Sequence, residues 1–409
     1  MNVNEFVLSE DMTAEQRRKN LFVLAAGAFL RGAHTSIYLV IWQPFALSLG
    51  ASMPMVGLLT SLGGLHGVFT TLSQSVGGWL ADRVGCKPFI ITASFFLIAA
   101  YSLFMLADLS VKWVLLLFGI VLFGLASLAR PAVTSMTAEA AKRERQGSVF
   151  SLMMFVWVVP GVLAPTVGGW LTMRWGYAGV FPILIALEVI ALVLTWRFLF
   201  ERRHSWEGVS LSAFGRAFLR SVIPPRGLEW FFIAAAADSF VWALGWGLIN
   251  GLLKDAHHFT VAQLGVMASV MAFAWAVVQL PIGRYLDSHT AKGTIVISEI
   301  FGIPIMIFTM IHPSFPIMIA MEVLFAIVAA TWVPAVNTYI ARAVKASERT
   351  EAFGRLNMFR GIIAFPSSWL GGLLYAKWGF NAPLAASLAG VFIVLAIFVF
   401  CVKEPQQTE

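Results

Sequence analysis

An all-α integral membrane protein, made of two homologous bundles of six transmembrane helices, is the fold class that three observations predict. Of the 409 residues, 59% are hydrophobic and only 12% charged, whereas an ordinary soluble domain is about a quarter charged. The mean hydropathy is +0.82. Apolar stretches of about 20 residues, each enough to carry a helix across roughly 30 Å of hydrocarbon, recur along the whole chain. The second half of the chain then repeats the first.

Taken in order, the crossings are expected at 20–48, 54–80, 88–107, 113–137, 147–171, 179–199, 229–252, 261–285, 294–311, 316–339, 353–375 and 382–402. A β-barrel would need short segments of alternating polarity, and FVLAAGAF at 22–29 does not alternate. Residues 1–19 carry Glu5, Glu10, Asp11 and Glu15 with no apolar core, so the first helix rather than a signal peptide is expected to insert the chain.

Lysine and arginine accumulate on the cytoplasmic side of a membrane protein. With the N-terminus inside, the inner loops hold Arg17, Arg18, Lys19, Arg83, Lys87, Lys142, Arg143, Arg145, Arg202, Arg203, Lys292, Arg342 and Lys345, and the outer loops only Lys112, Arg174, Lys254 and Lys377. Both termini are thus expected in the cytoplasm, with the protein in the cytoplasmic (inner) membrane as a multi-pass monomer. The net charge of +7 reflects this bias rather than nucleic-acid binding. Cys86 and Cys401 fall on the reducing side, where no disulfide is expected.

The repeat is ungapped over about fifty residues. At a constant offset of 203, Pro131 falls on Pro334, Phe150 on Phe353, Gly168-Gly169 on Gly371-Gly372 and Trp175-Gly176 on Trp378-Gly379. Upstream, Gly78-x-x-x-Asp82 falls on Gly283-x-x-x-Asp287. The organisation follows: a cytoplasmic segment 1–19, a six-helix bundle 20–199, a polar linker 200–227, a second bundle 228–402 and a tail 403–409. An even number of crossings per half makes the repeats parallel, the arrangement of transporters with a site between halves.

GGWLADRVGCKP, between the second and third helices, resembles the Gly-x-x-x-Asp-Arg-x-Gly-Arg-Lys signature of the major facilitator superfamily, through Gly78, Asp82, Arg83, Gly85 and Lys87. Cys86 stands where a second basic residue is usual. The resemblance implies that Asp82 and Arg83 join Glu139 and Arg145 in a charge cluster closing the cytoplasmic face. The plainer reading is a helix end with inward-side charges. The second copy, GRYLDSHTAKG, keeps Gly283 and Asp287 but has Ser288 in place of the arginine, so its closure should be weaker. The fifth helix, with Gly161, Ala164-Pro165 and Gly168-Gly169, resembles a degraded form of a glycine-proline pattern found in exporters of the superfamily. There small residues allow close packing and Pro165 a bend.

Seven ionisable residues other than histidine fall inside the spans: Arg31, Arg130, Glu188, Asp238, Glu299, Glu322 and Arg360. A charge at mid-membrane costs about 2.5 kcal/mol or more on insertion scales and faces protein or water. The resemblance implies that the first, fourth, seventh and tenth helices line a central cavity. Arg31 has no carboxylate in its own segment, and Asp238 occupies nearly the same place in the seventh helix. These two are expected to pair across the cavity, either as a releasable coupling pair or as a fixed bridge. Glu188 and Glu299, on peripheral helices, have no evident partner, and Glu322 can reach water at the outer end of the tenth helix.

His34, Tyr38, His66, Arg130, Asn250, Asn337 and Arg360 add polarity to the expected cavity. His34 and His66 are candidate proton carriers, since histidine titrates near about 6.5, or else packing residues. Trp242, with other tryptophans inside the helices, can stack on a flat solute or hold a cation over its ring, or pack between helices. No cluster at metal-ligand spacing, nucleophile–base pair or phosphate loop is seen, so neither an enzyme nor a bound cofactor is expected, and a proton or ion gradient supplies the energy. The expected function is secondary active transport of a small amphipathic organic solute, as proton-coupled export. The alternatives are uptake or exchange of an organic anion through an arginine-lined cavity and, more distantly, a non-transporting receptor.

Overall fold

The computed structural model describes residues 12–64, 67–141, 146–201, 215, 222–345 and 349–405. Its elements are helices joined by short breaks, and the breaks have local causes. The first helix, Ala14–Ser48, starts on a capping box in which Thr13 and Gln16 exchange side-chain and backbone hydrogen bonds; this satisfies amides that an open helix end leaves bare. The second is split into Met53–Gly63 and Val68–Val84. The third spans Lys87–Ser110, and the fourth runs as Leu115–Leu125 and Ala129–Ala140 through a 3₁₀ turn.

Gln146–Val158 and Ala164–Phe198 carry the fifth and sixth helices. The second of these segments contains Gly176 at φ 72°, where the chain reverses. Its partner in the repeat, Gly379 at φ 81°, ends the eleventh helix in the same way. Positive φ is the region in which glycine alone is comfortable. The repeat seen as Trp-Gly in the sequence is therefore a repeated corner in the backbone.

The seventh helix is Glu229–Leu244 continued by a 3₁₀ turn, Trp246–Leu248, into Ile249–His257. Val261–Ser288, Ala291–Ile311 and Phe315–Ala343 are the eighth to tenth. Arg349–Ala364 and Ser367–Trp378 form the eleventh, and Asn381–Ala396 opens the twelfth. Among the described residues, ten stretches are long and apolar enough to cross a membrane. One of these, Ser148–Phe198, runs two expected spans together through Gly176. The expected eleventh span is missing from the ten because the break before Ser367 leaves pieces of 16 and 12 residues.

Each half has its own core. Tyr38, Phe45, Tyr101, Phe104 and Phe181 fill the first, and Phe231, Phe232, Tyr339, Leu356 and Phe398 the second. Large apolar side chains such as Phe22 and Phe400 point outward, as expected of a surface that lipid covers.

The contacts between the halves are backbone-close on the side away from the termini. A Cβ on Gly57 would collide with the carbonyl of Ser368, and one on Gly372 with that of Met53, where the second and eleventh helices cross. Where the fifth and eighth cross, Gly169 stands in the same relation to Val261 and Gly265 to Pro165. These crossings are each other's image under the repeat. Pro165 lies in the first turn of its helix segment, after the 3₁₀ turn Val159–Val162. Its missing N–H costs nothing there, so the break in the fifth helix precedes Pro165 and falls at Pro160.

Candidate functional site

A cavity of about 560 Å³ lies between the halves, lined by the first, second, seventh, tenth and eleventh helices. The seventh helix brings Asp238, Trp242 and Trp246 to it at intervals of four, and the eleventh brings Phe353, Asn357, Arg360 and Ala364. Both are single-face helical stripes. Asn250 and Asn337 line it, and Gln43, Ser239, Phe325, Trp332 and Asn357 complete its polar and aromatic wall.

Arg360 is held on two sides. Its Nε donates to Ser239 Oγ at 2.7 Å, and its guanidinium lies 4.5 Å from the centre of the Trp332 ring, a favourable seat for a cation. Trp242 and Trp246 meet edge to face at 6.4 Å, and each packs on Phe325 at 5.3 and 5.1 Å. Asp238, 5% exposed, sits at the base of this aromatic wall, facing Arg360 and Glu299. Such a site offers a flat apolar surface with one carboxyl and one guanidinium, together with amides that can hydrogen-bond either way.

Arg31 does not pair with Asp238. Its Nε donates to Glu188 Oε1 at 3.2 Å, and its Nη2 to Ser94 Oγ at 3.1 Å. His34 Nε2 meets the other Glu188 oxygen at 2.7 Å, and His34 Nδ1 meets the Tyr101 hydroxyl at 2.8 Å. The sixth helix therefore supplies, inside the same half, the carboxylate that was sought across the cavity. Tyr38 is also away from the cavity wall, buried, stacked on Phe104 and tilted against Phe123. Arg130 presents an exposed side chain but is not among the cavity's lining, and the fourth helix contributes nothing to that lining. Glu322 is buried, at 7% exposure, rather than reaching water.

His66 and Arg145 lie outside the described residues, as do the side chains of Asp82, Arg83, Gly283 and Asp287. Among the gating candidates that are described, Gly78 packs on Pro131 of the fourth helix and Glu139 is exposed. Gly168 is pressed against Ile37. Gly85 has φ 104° and Lys87 opens the third helix, with the amides of Cys86 and Lys87 donating to the Glu201 carboxylate. Lys87 Nζ returns to the Leu199 carbonyl at 2.7 Å. The second half repeats the device: the amides of Ala291 and Lys292 donate to Glu404 at 3.0 and 3.1 Å, and Lys292 Nζ reaches the Val399 carbonyl at 2.9 Å. Glu201 and Glu404, 203 apart like the other matched pairs, are functional-looking residues that a longer alignment of the halves would have revealed.

Gln43 is another addition. Its side chain donates to the Gly247 carbonyl at 2.8 Å and accepts from the Gly251 amide at 2.8 Å, both on the seventh helix. With Ser61 accepting from the Trp369 amide and Thr166 donating to Ser269 Oγ at 2.8 Å, it ties the halves together above the cavity.

Two repeated halves of membrane-length helices meeting around a cavity, with glycine-lined crossings at one end, define a multi-pass membrane transporter. The chain belongs to the Major Facilitator Superfamily, which it matches over residues 24–237 and 231–409. It is 29% identical over 185 residues to the "Multi-drug resistance efflux pump PmrA homolog" of Lactococcus lactis subsp. lactis, a match spanning 45% of each chain and thus under half of that relative's length. It is 22% identical over 393 residues to the "Multi-drug resistance efflux pump PmrA" of Streptococcus pneumoniae serotype 4, covering 94% of this chain and 96% of the relative. A bacterial homologue of the human lysosomal transporter Spinster, solved inward-facing and unoccupied, superposes with a TM-score of 0.71 at 18% identity, over 95% of this chain and 97% of that one.

Proposed function

We propose that the protein exports a small amphipathic organic solute from the cytoplasm in exchange for protons, across the inner membrane and with both termini cytoplasmic. The observation that carries this reading is the cavity itself: an aromatic wall of Trp242, Trp246, Phe325 and Trp332 ending on the buried carboxyl of Asp238. Such a wall suits a flat apolar body, and a carboxyl at its base suits a positive group. The full-length likeness to an efflux pump supports the direction. With the termini inside, the end sealed by Gln43 and the glycine crossings is the outer one. The conformation is then closed to the outside.

A second reading rests on Arg360, the one cation among the described residues that line the cavity. Seated over Trp332, it can receive a carboxylate, and the solute would then be an organic anion. The reading is narrower than the sequence suggested, because Arg31 is occupied by Glu188.

Thermal stabilisation of the purified protein by tetraphenylphosphonium, by benzoate and by a zwitterionic amino acid separates the two, with Asp238→Asn and Arg360→Ala in parallel. Export of cations predicts a shift with tetraphenylphosphonium that is lost in Asp238→Asn. A shift with benzoate alone, lost in Arg360→Ala, would replace it with the anion reading.

A further inference from the structure

Glu299 belongs to the ninth helix, outside the ring of helices that lines the cavity, yet it points back toward the site. Its side chain is buried, at 1% exposure. It faces Asp238 and the indoles of Trp242 and Trp332, and one turn on, Gly302 makes room for the Trp242 ring. No N–H or O–H donor is aligned on either Glu299 oxygen, and the Trp332 indole nitrogen, though it faces the carboxyl, is not aligned on it. Buried polar atoms are almost always partnered, and between two facing carboxyl groups only a proton on one of them can supply that partnership.

We infer that Glu299 carries a proton and donates it to Asp238, whose own charge is balanced by Arg360. Ionised carboxylates are acceptors only; one proton converts Glu299 into a donor and pairs the two groups at once. Two carboxylates side by side in a low dielectric cannot both stay ionised. Other charges at hand do not offer an alternative. The eleventh helix brings Arg360 to Asp238, and the tenth brings Trp332, with Glu322 more than two turns away along the chain. The twelfth has no titratable residue before Cys401. Asp238 touches the cavity and Glu299 lies behind it, so the proton enters and leaves through Asp238. The proton's part in transport rests on the coupled export proposed above; its location does not.

Infrared spectroscopy of the purified full-length protein at neutral pH reads the proton directly, as the carbonyl stretch of an un-ionised carboxylic acid. A Glu322→Gln background removes the other buried glutamate that lacks a cation beside it. In that background the acid band is expected to be present, to shift with ¹³C-glutamate but not with ¹³C-aspartate, and to vanish on adding Glu299→Gln. The isotope shift needs no change at Glu299, so the test survives if Glu299→Gln fails to fold. No acid band, or one that shifts only with labelled aspartate, overturns the assignment. Tetraphenylphosphonium should weaken the band as the proton leaves. A glutamate band indifferent to this probe would uphold the proton at Glu299 and count against cation export.

Discussion

Both halves bury acidic and basic groups, but they dispose of them differently. In the N-terminal half, Arg31, His34, Tyr101 and Ser94 all converge on Glu188 or on one another, within a single bundle. In the C-terminal half, Asp238 and Arg360 face the cavity, while Glu299 lies behind them against Asp238 with no cation of its own. A network complete inside one half makes no bond across the interface, so a movement of one half against the other would break nothing in it. Charge within the membrane is therefore no guide to function by itself. The guide is whether the group is satisfied, and whether it can be reached from the cavity.

Replacing Glu188 is the harshest way to probe that contrast. Glu188→Ala leaves a guanidinium and an imidazole buried without their carboxylate, and breaking a buried pair in this way costs about 3–5 kcal/mol. A large fall in melting temperature is expected, and a double change to Arg31→Met with Glu188→Leu should recover much of it. Glu299→Gln sharpens the comparison from the other side: melting should change little, since an amide can still donate to Asp238, while proton exchange in liposomes is lost. If the two single variants melted alike, the division between fastened and functional charge would fail.

The interface between halves gives a gentler test. Gln43→Ala removes two hydrogen bonds across the interface between the halves, each worth about 1 kcal/mol. Cysteine labelling of the seventh helix at that end should then rise several-fold, with a fall in stability of about 2 kcal/mol or less. Smallest of all, Glu404→Gln keeps the shape of the cap but drops the charge at the start of the ninth helix. A loss of about 1 kcal/mol or less is expected, visible as a modest shift in melting.

Much of this architecture was legible in advance, because composition and the repeat are properties of the string itself. The offset that pairs Trp175-Gly176 with Trp378-Gly379 reappears as two backbone corners at positive φ, and it extends to Glu201 and Glu404. Asp238 and Trp242 could each be named from the sequence, but that they share one face of the seventh helix toward a cavity is seen only in the structure. What could not be read was the partner of Arg31. Glu188 is 157 residues away, and which helix presents a carboxylate to it depends on how each helix is rotated about its axis. That rotation is set by packing across the bundle, as at Gly302 against Trp242, and leaves no local pattern. Glu299 was passed over for the same reason, since its outer helix gave no sign of facing inward.

The paired crossings at Gly57 with Gly372 and at Gly169 with Gly265 bring main chain against main chain, with no side chain between to yield. They act as a hard stop on either side of the solute path. The angle at which the halves come to rest is then set by polypeptide geometry and is indifferent to what fills the chamber. Residues around the chamber can diverge, and with them the choice of cargo, while the closed shape stays the same.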